Sequence, residues 1–152
     1  MERLKTYGRF IKVEHTLFSL PLILSGAFLA AGGIPEIRVL VLILIAAFGA
    51  RTSALGLNRI IDREIDRRNP RTRERELPSG KMNLIEASGI VGGGILIYLI
   101  AAYLICDFVL YLSPIPLLVF TLYPYMKRFT SLCHFGVGLG LSLSPIGGWL
   151  AV

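Results

Sequence analysis

The chain alternates between long apolar runs and short polar breaks, with one long charged segment between the second and third runs. Residues 1–14 mix Arg3, Lys5, Arg9 and Lys12 with Phe10, Ile11 and Val13, the pattern of an amphipathic lead-in at a membrane interface. Apolar runs follow at about 17–33, 37–57, 84–106, 108–125 and 132–152. Each approaches the roughly 20 residues that cross a bilayer as a helix. Pro21 is tolerated inside such a helix, and Pro114 and Pro116 predict a bend in the fourth run. Turns are expected at Ile34-Pro35-Glu36 and at Asp107. Glycines at 92, 93 and 94, and at 136, 138, 140, 147 and 148, predict close helix approach in lipid. The long charged lead and the later apolar runs argue against a secretory signal peptide.

Composition sharpens this picture. Of 152 residues, 54% are hydrophobic and 17% charged, against roughly 25% charged in an ordinary soluble domain. A soluble enzyme, a nucleic-acid-binding module and a disordered tail are excluded. The expected class is all-α, a polytopic membrane helix bundle occupying residues 1–152. Net charge is +6, and 14 of the 16 cations fall on one side of a five-span zigzag. They comprise four before the first span, eight between the second and third, and Lys127 and Arg128 after the fourth. Arg38 falls on the other side and Arg51 within the second span. The positive-inside rule then places the N-terminus and the loop over residues 58–81 in the cytoplasm. Cys106 and Cys133 form no redox or metal pattern and read as small buried hydrophobes.

The chemistry is concentrated between Arg51 and Gly80. Asn58, Asp62 and Asp66 are spaced four apart, so on a helix they form one stripe. Arg51, seven residues earlier, falls within about 20° of the same line. The stripe thus reads Arg, Asn, Asp, Asp from inside the bilayer outward. Neighbouring carboxylates repel unless a cation intervenes, and their hard oxygens suit Mg²⁺, which bridges to phosphates. An arginine on the same stripe is placed to hold a diphosphate. A juxtamembrane helix end laced with ion pairs would look similar. Arg51 tips the balance, because a charge inside a span marks a paired or functional site. Beyond the stripe, Asn69-Pro70 and Pro78-Ser79-Gly80 are turn signals bracketing Arg71, Arg73 and Arg75. These arginines fit either a diphosphate or an anionic lipid surface. Tyr123 through Thr130, taken alone, reads as an aromatic and cationic interface anchor. His15, His134 and Trp149 have ordinary interfacial readings.

The pattern Asn58-x-x-x-Asp62-x-x-x-Asp66, followed by Asn69-Pro70-Arg71-Thr72 and Leu77-Pro78-Ser79-Gly80, resembles the first aspartate-rich signature of the UbiA superfamily. These are intramembrane aromatic prenyltransferases. Tyr-Pro-Tyr-Met-Lys-Arg-Phe-Thr at 123–130 resembles the segment they carry after the fourth helix. The resemblance runs from about Phe10 to Trp149 and is nearest the 4-hydroxybenzoate polyprenyltransferase branch and its menaquinone-pathway relatives. It implies a nine-helix bundle, five helices of it present here, with a central cavity open sideways to lipid. It implies Mg²⁺ held by Asn58, Asp62 and Asp66, and a diphosphate contacted by Arg51 and Lys127 with help from Tyr123 or Tyr125. Asp62, Asp66 and Lys127 are the catalytic candidates. Arg51, Asn58, Arg71, Arg75, Tyr123, Tyr125 and Arg128 are the substrate-binding candidates. The implied partners are a polyprenyl diphosphate, an aromatic acceptor and the lipid bilayer, with no nucleic acid. The implied location is a bacterial or archaeal plasma membrane, N-terminus inside.

Three departures stand out. Many members have Asp where this chain has Arg59, and Pro where it has Glu76. The family's second aspartate-rich motif follows its sixth helix, and residues 129–152 contain no Asp or Glu. The expectation is therefore a fragment of a longer protein, or a chain completed by self-association. Two other classes compete: a small membrane transporter and a non-catalytic membrane remnant. Transport would call for ionisable groups in several spans, whereas here they gather at one. The topology is testable by labelling single cysteines in a background lacking Cys106 and Cys133. Positions 81 and 127 are expected on the cytoplasmic side and 36 and 107 on the other; 81 and 107 on one side would overturn the span assignment.

Overall fold

The computed structural model describes residues 2–152, excepting the side chains at 2, 4, 5 and 13–18. The readings made for Lys5 and His15 lie outside the described residues. Among the described residues eight helices follow in order: α1 Glu2–Ile11, α2 Val13–Ala31, α3 Ile37–Ile61, α4 Arg63–Arg68, α5 Leu84–Ile105, α6 Asp107–Leu112, α7 Pro114–Met126 and α8 Cys133–Leu150. Three helical stretches, Ile37–Ile61, Leu84–Ile105 and Asp107–Met126, are long and apolar enough to cross a membrane, and Ser19–Ala31 is a shorter apolar one.

Local chemistry explains the boundaries. α2 ends at Gly32, whose φ of 62° lets its amide and that of Gly33 reach back to Leu29 and Phe28 carbonyls. α5 opens with a reciprocal capping box between Asn83 and Glu86. The predicted bend in the fourth run is a break. α6 stops at Leu112, and α7 restarts with Pro114 in its first turn, where a missing N–H costs nothing. α4 ends at Asn69, held extended before Pro70.

The zigzag brings alternate helix ends together. Arg128 Nη2 donates to the Ile61 carbonyl at 2.8 Å, which sets the end of α7 beside the end of α3. Arg38 Nη2 donates to the Leu104 carbonyl at 3.2 Å, which sets the start of α3 beside the end of α5. The charged segment, the start of α5 and the end of α7 therefore share one end of the bundle. Phe10, Leu77, Met82 and Ala87 form a buried cluster at that end, and Ala27, Ile43 and Ala151 form another at the far end. The apolar face of α1, expected at the lipid interface, in fact sends Phe10 wholly into protein. Cys106 corrects another expectation: it is exposed, and Cys133 is half-buried, both free thiols.

Packing in the middle uses absent side chains. A Cβ on Gly26 would lie 1.9 Å from the Pro145 carbonyl oxygen, and one on Gly148 2.0 Å from that of Ile23. α2 and α8 thus touch backbone to backbone, as small residues permit in lipid. Gly49 approaches the Gly94 carbonyl and Tyr98 in the same way, joining α3 to α5. Not every predicted glycine contact is found among the described residues: a Cβ on Gly92, Gly93, Gly138 or Gly147 would meet none of them within 4 Å. Gly148→Ala is therefore expected to force α2 from α8 at a cost of about 1–3 kcal/mol, whereas Gly147→Ala is neutral or slightly stabilising. Thermal unfolding of the two variants in one detergent checks this; equal midpoints would refute the close contact.

Candidate functional site

The stripe assembles much as its spacing predicts. Asp62 closes α3, yet the backbone bonds from Asp62 N to Asn58 O (2.9 Å) and from Asp66 N to Asp62 O (2.8 Å) carry the helical path into α4. Asn58, Asp62 and Asp66 therefore stay in register across a boundary between two helices. Asp62 and Asp66 are buried, at 5% and 7% exposure. Buried carboxylates demand compensation, and each has a cation from a distant segment. Lys127 Nζ lies 2.6 Å from Asp62 Oδ2 and 3.3 Å from Asn58 Oδ1. Arg75 Nη1 lies 2.8 Å from Asp66 Oδ2. The mutual repulsion expected of the two carboxylates is thereby relieved by two cations.

Asn58 also donates through Nδ2 to the Tyr123 hydroxyl, and Lys127 Nζ lies 5.7 Å from the Tyr123 ring centre. Tyr123 is the hinge between this polar cluster and the interior. Its ring lines a partly open cavity of about 250 Å³ bordered by α2, α3, α5, α6, α7 and α8. The lining is apolar or small apart from Ser19, Arg51, Tyr98, Tyr123 and Ser144. Among the described residues, Arg51 Nε and Asp62 Oδ1 are buried without a hydrogen-bond partner. An acyl-like tail suits such walls, and an anion suits the end where Arg51 and Tyr123 lie.

Other candidates sit elsewhere. Arg71 is exposed, and its backbone amide donates to Asn69 Oδ1 at 3.0 Å. Arg73 is exposed beside Glu74. Tyr125 is 43% exposed, with the Arg128 guanidinium 5.2 Å from its ring centre. Arg128 is thus tied to the end of α3 and to Tyr125, as a cation on terminal helix carbonyls should be. The structure also unites two residues read only as departures from a pattern. Arg59 and Glu76 form a buried ion pair with each other. Opposite charge at both departures was the available signal. Thr72, not singled out in the sequence, is buried and donates to the Asp66 carbonyl at 3.0 Å, anchoring the loop.

The oxygens of Asn58, Asp62 and Asp66 are hard donors, and Asp62 Oδ1, which has no hydrogen-bond partner among the described residues, suits a hard cation. The set fits Mg²⁺, although among the described residues no three His, Cys, Asp or Glu side chains cluster as a complete metal shell.

The profile of the UbiA prenyltransferase family matches residues 19–152. A 4-hydroxybenzoate octaprenyltransferase from Photobacterium profundum is 30% identical over 147 residues, covering 95% of this chain and 51% of its own length. The apo structure of a UbiA homologue from Aeropyrum pernix K1 superposes with a TM-score of 0.86 at 38% identity, over 91% of this chain and 50% of that one. A digeranylgeranylglyceryl phosphate synthase structure superposes with a TM-score of 0.90 at 27% identity, over 99% and 54%. The chain spans about half the length of the curated relatives it matches.

The ion pairs make a specific forecast. Lys127→Met strips Asp62 of its cation, and since Lys127 is one-third exposed the loss is expected to be about 1–2 kcal/mol. Added Mg²⁺ should raise the thermal midpoint of this variant more than that of the parent. An equal shift in both would show that Lys127 and the metal do not share Asp62.

Proposed function

The chain belongs to the UbiA prenyltransferase family, and on that premise we propose that its polar bundle end binds an allylic polyprenyl diphosphate for transfer to an aromatic acceptor such as 4-hydroxybenzoate, in quinone biosynthesis. The protein is an integral membrane protein. The five-span arrangement, the N-terminus in the cytoplasm and the plasma-membrane location belong to this proposal. The observation that carries it is the pair of buried carboxylates, each neutralised by a cation, beside an apolar cavity whose wall includes Arg51 and Tyr123.

The chemistry follows from that arrangement. In the proposed reaction the allylic C–O bond breaks, diphosphate leaves with the electron pair, and a ring carbon of the acceptor attacks the allylic cation and then loses its proton. Bound at Asn58, Asp62 and Asp66, Mg²⁺ would supply neutralisation of the leaving group's charge. Lys127 and Arg75 bring the positive charge that a diphosphate needs, already ordered on the carboxylates. Arg51, whose Nε has no partner among the described residues, offers a further donor at the cavity wall. The Tyr123 hydroxyl holds Asn58 in place. The apolar walls take the polyprenyl tail and keep water from the cation.

A second reading of the acceptor draws on the likeness to digeranylgeranylglyceryl phosphate synthase: the nucleophile would then be a glyceryl phosphate lipid. Competition between 4-hydroxybenzoate and such a lipid, in one prenylation assay, separates the two.

Titration of the chain in liposomes with a polyprenyl diphosphate tests the site. We expect Mg²⁺-dependent binding that the Asp62→Ala/Asp66→Ala variant loses by about a hundredfold or more, measured below the thermal midpoint of the variant, which also lacks both ion pairs. Retention of Mg²⁺-dependent binding by that variant would refute the assignment. With 4-hydroxybenzoate added, residues 1–152 are expected to bind without robust prenylation, because one carboxylate stripe holds about one of the roughly two divalent ions such a leaving group calls for.

A further inference from the structure

Beside the stripe lies a second pair of charges that is absent from the cavity lining and whose guanidinium also feels the charges of Asp66 and Arg75. Arg59 Nη1 meets Glu76 Oε2, and the two side chains are only 9% and 12% exposed. Phe10, wholly buried, places its ring 5.3 Å from the Arg59 guanidinium. An ion pair this deep is poor evidence of stabilisation, since desolvating both charges offsets most of their attraction. What such a pair supplies is registry, and the registry here is specific. Glu76 is the neighbour of Arg75, and their partners Arg59 and Asp66 stand seven residues apart on the α3–α4 run. Seven residues return to nearly the same helical face. Two adjacent loop residues are thus gripped by one face of the run, two turns apart.

The remaining anchors fix the same stretch of loop. Leu77 and Met82 pack with Phe10 and Ala87. The Met82 amide donates to the Glu76 carbonyl at 3.0 Å, and Ser79 Oγ to the Arg75 carbonyl at 2.6 Å. α1 is the outer wall of this assembly through Phe10, and Tyr7 donates to Glu86 Oε1 at 3.3 Å at the start of α5.

We infer that Arg59, Glu76 and Phe10 are positioning residues that hold Arg75 against Asp66, so that the N-terminal helix sets the affinity of the site for diphosphate. The inference rests on the proposed role of Arg75 as a diphosphate ligand. The test uses the chain in nanodiscs with Mg²⁺ and inorganic diphosphate as probe, read by calorimetry, with the thermal midpoint followed in parallel. Glu76→Gln is expected to weaken diphosphate binding about tenfold, the scale of one misplaced charge-assisted hydrogen bond. The charge swap Arg59→Glu/Glu76→Arg should recover most of that loss. In an Arg75→Ala background, Glu76→Gln should have no further effect on binding, because it acts through Arg75. Should Glu76→Gln not fold, Phe10→Leu takes its place, with an expected loss of about threefold. Parent-like binding by Glu76→Gln or Phe10→Leu overturns the inference even if the midpoint falls, as does further loss in the Arg75→Ala background. Parent-like binding by Arg75→Ala alone instead removes the reading of Arg75, and the inference with it.

Discussion

Charge compensation at the end of α3 organises this protein. Asp62 and Asp66 are carboxylates in a mostly apolar chain, buried to 5% and 7% exposure. A carboxylate so placed is tolerated only beside a positive partner. Neither partner comes from the neighbouring turns, although Arg63, Arg67 and Arg68 are at hand in sequence. They come from residues 75 and 127. Recruiting Lys127 draws the end of α7 onto α3, and recruiting Arg75 folds the charged loop back over α4. Arg59 and Glu76 repeat the device one step further from the cavity.

The apolar part obeys a different constraint. Lipid tails are as apolar as leucine, so helices are not driven together by burying large side chains but by close contact. α2 meets α8 through Gly26 and Gly148, and α3 meets α5 through Gly49, at distances where any side chain would collide with backbone, while a Cβ on Gly94 would meet the Ser53 hydroxyl at 2.8 Å. Large residues such as Leu29, Ile85 and Tyr111 stay on the outside. Between the tightly joined pairs remains the cavity of about 250 Å³. Its walls are alanine, glycine and aliphatic groups, and Arg51 and Tyr123 bring it into contact with the charged end. A molecule with an anionic head and a long hydrocarbon tail matches both halves.

Tyr123 joins the two regimes. Its ring belongs to the cavity wall and its hydroxyl to the amide of Asn58. A residue of this kind, apolar in body and polar at the tip, is suited to a boundary between lipid-like and water-like surroundings. Through it, the occupancy of the cavity and the geometry of the carboxylate stripe share one side chain.

Much of this was legible in the residues themselves. Runs of apolar length report helices because the backbone in lipid has few other ways to satisfy its hydrogen bonds. A four-residue spacing places Asn58, Asp62 and Asp66 on one line because that is a property of the helix, independent of what packs around it. The break at Pro114 and the cap at Gly32 follow from covalent geometry. Other features belong to distances between segments remote in the chain. Nothing in the spacing of Arg71, Arg73 and Arg75 says that Arg75 is the one that reaches Asp66, since the loop's path depends on Thr72, Leu77 and Met82 finding their places in the core. Nothing local distinguishes Gly94 and Gly148, which are closely packed, from Gly93 and Gly147, near which no described residue lies. That Arg59 answers Glu76, with Phe10 against it, is likewise a tertiary fact. The sign of a charge is written in the chain, but the partner that compensates it is chosen by which surfaces the helices bring within reach.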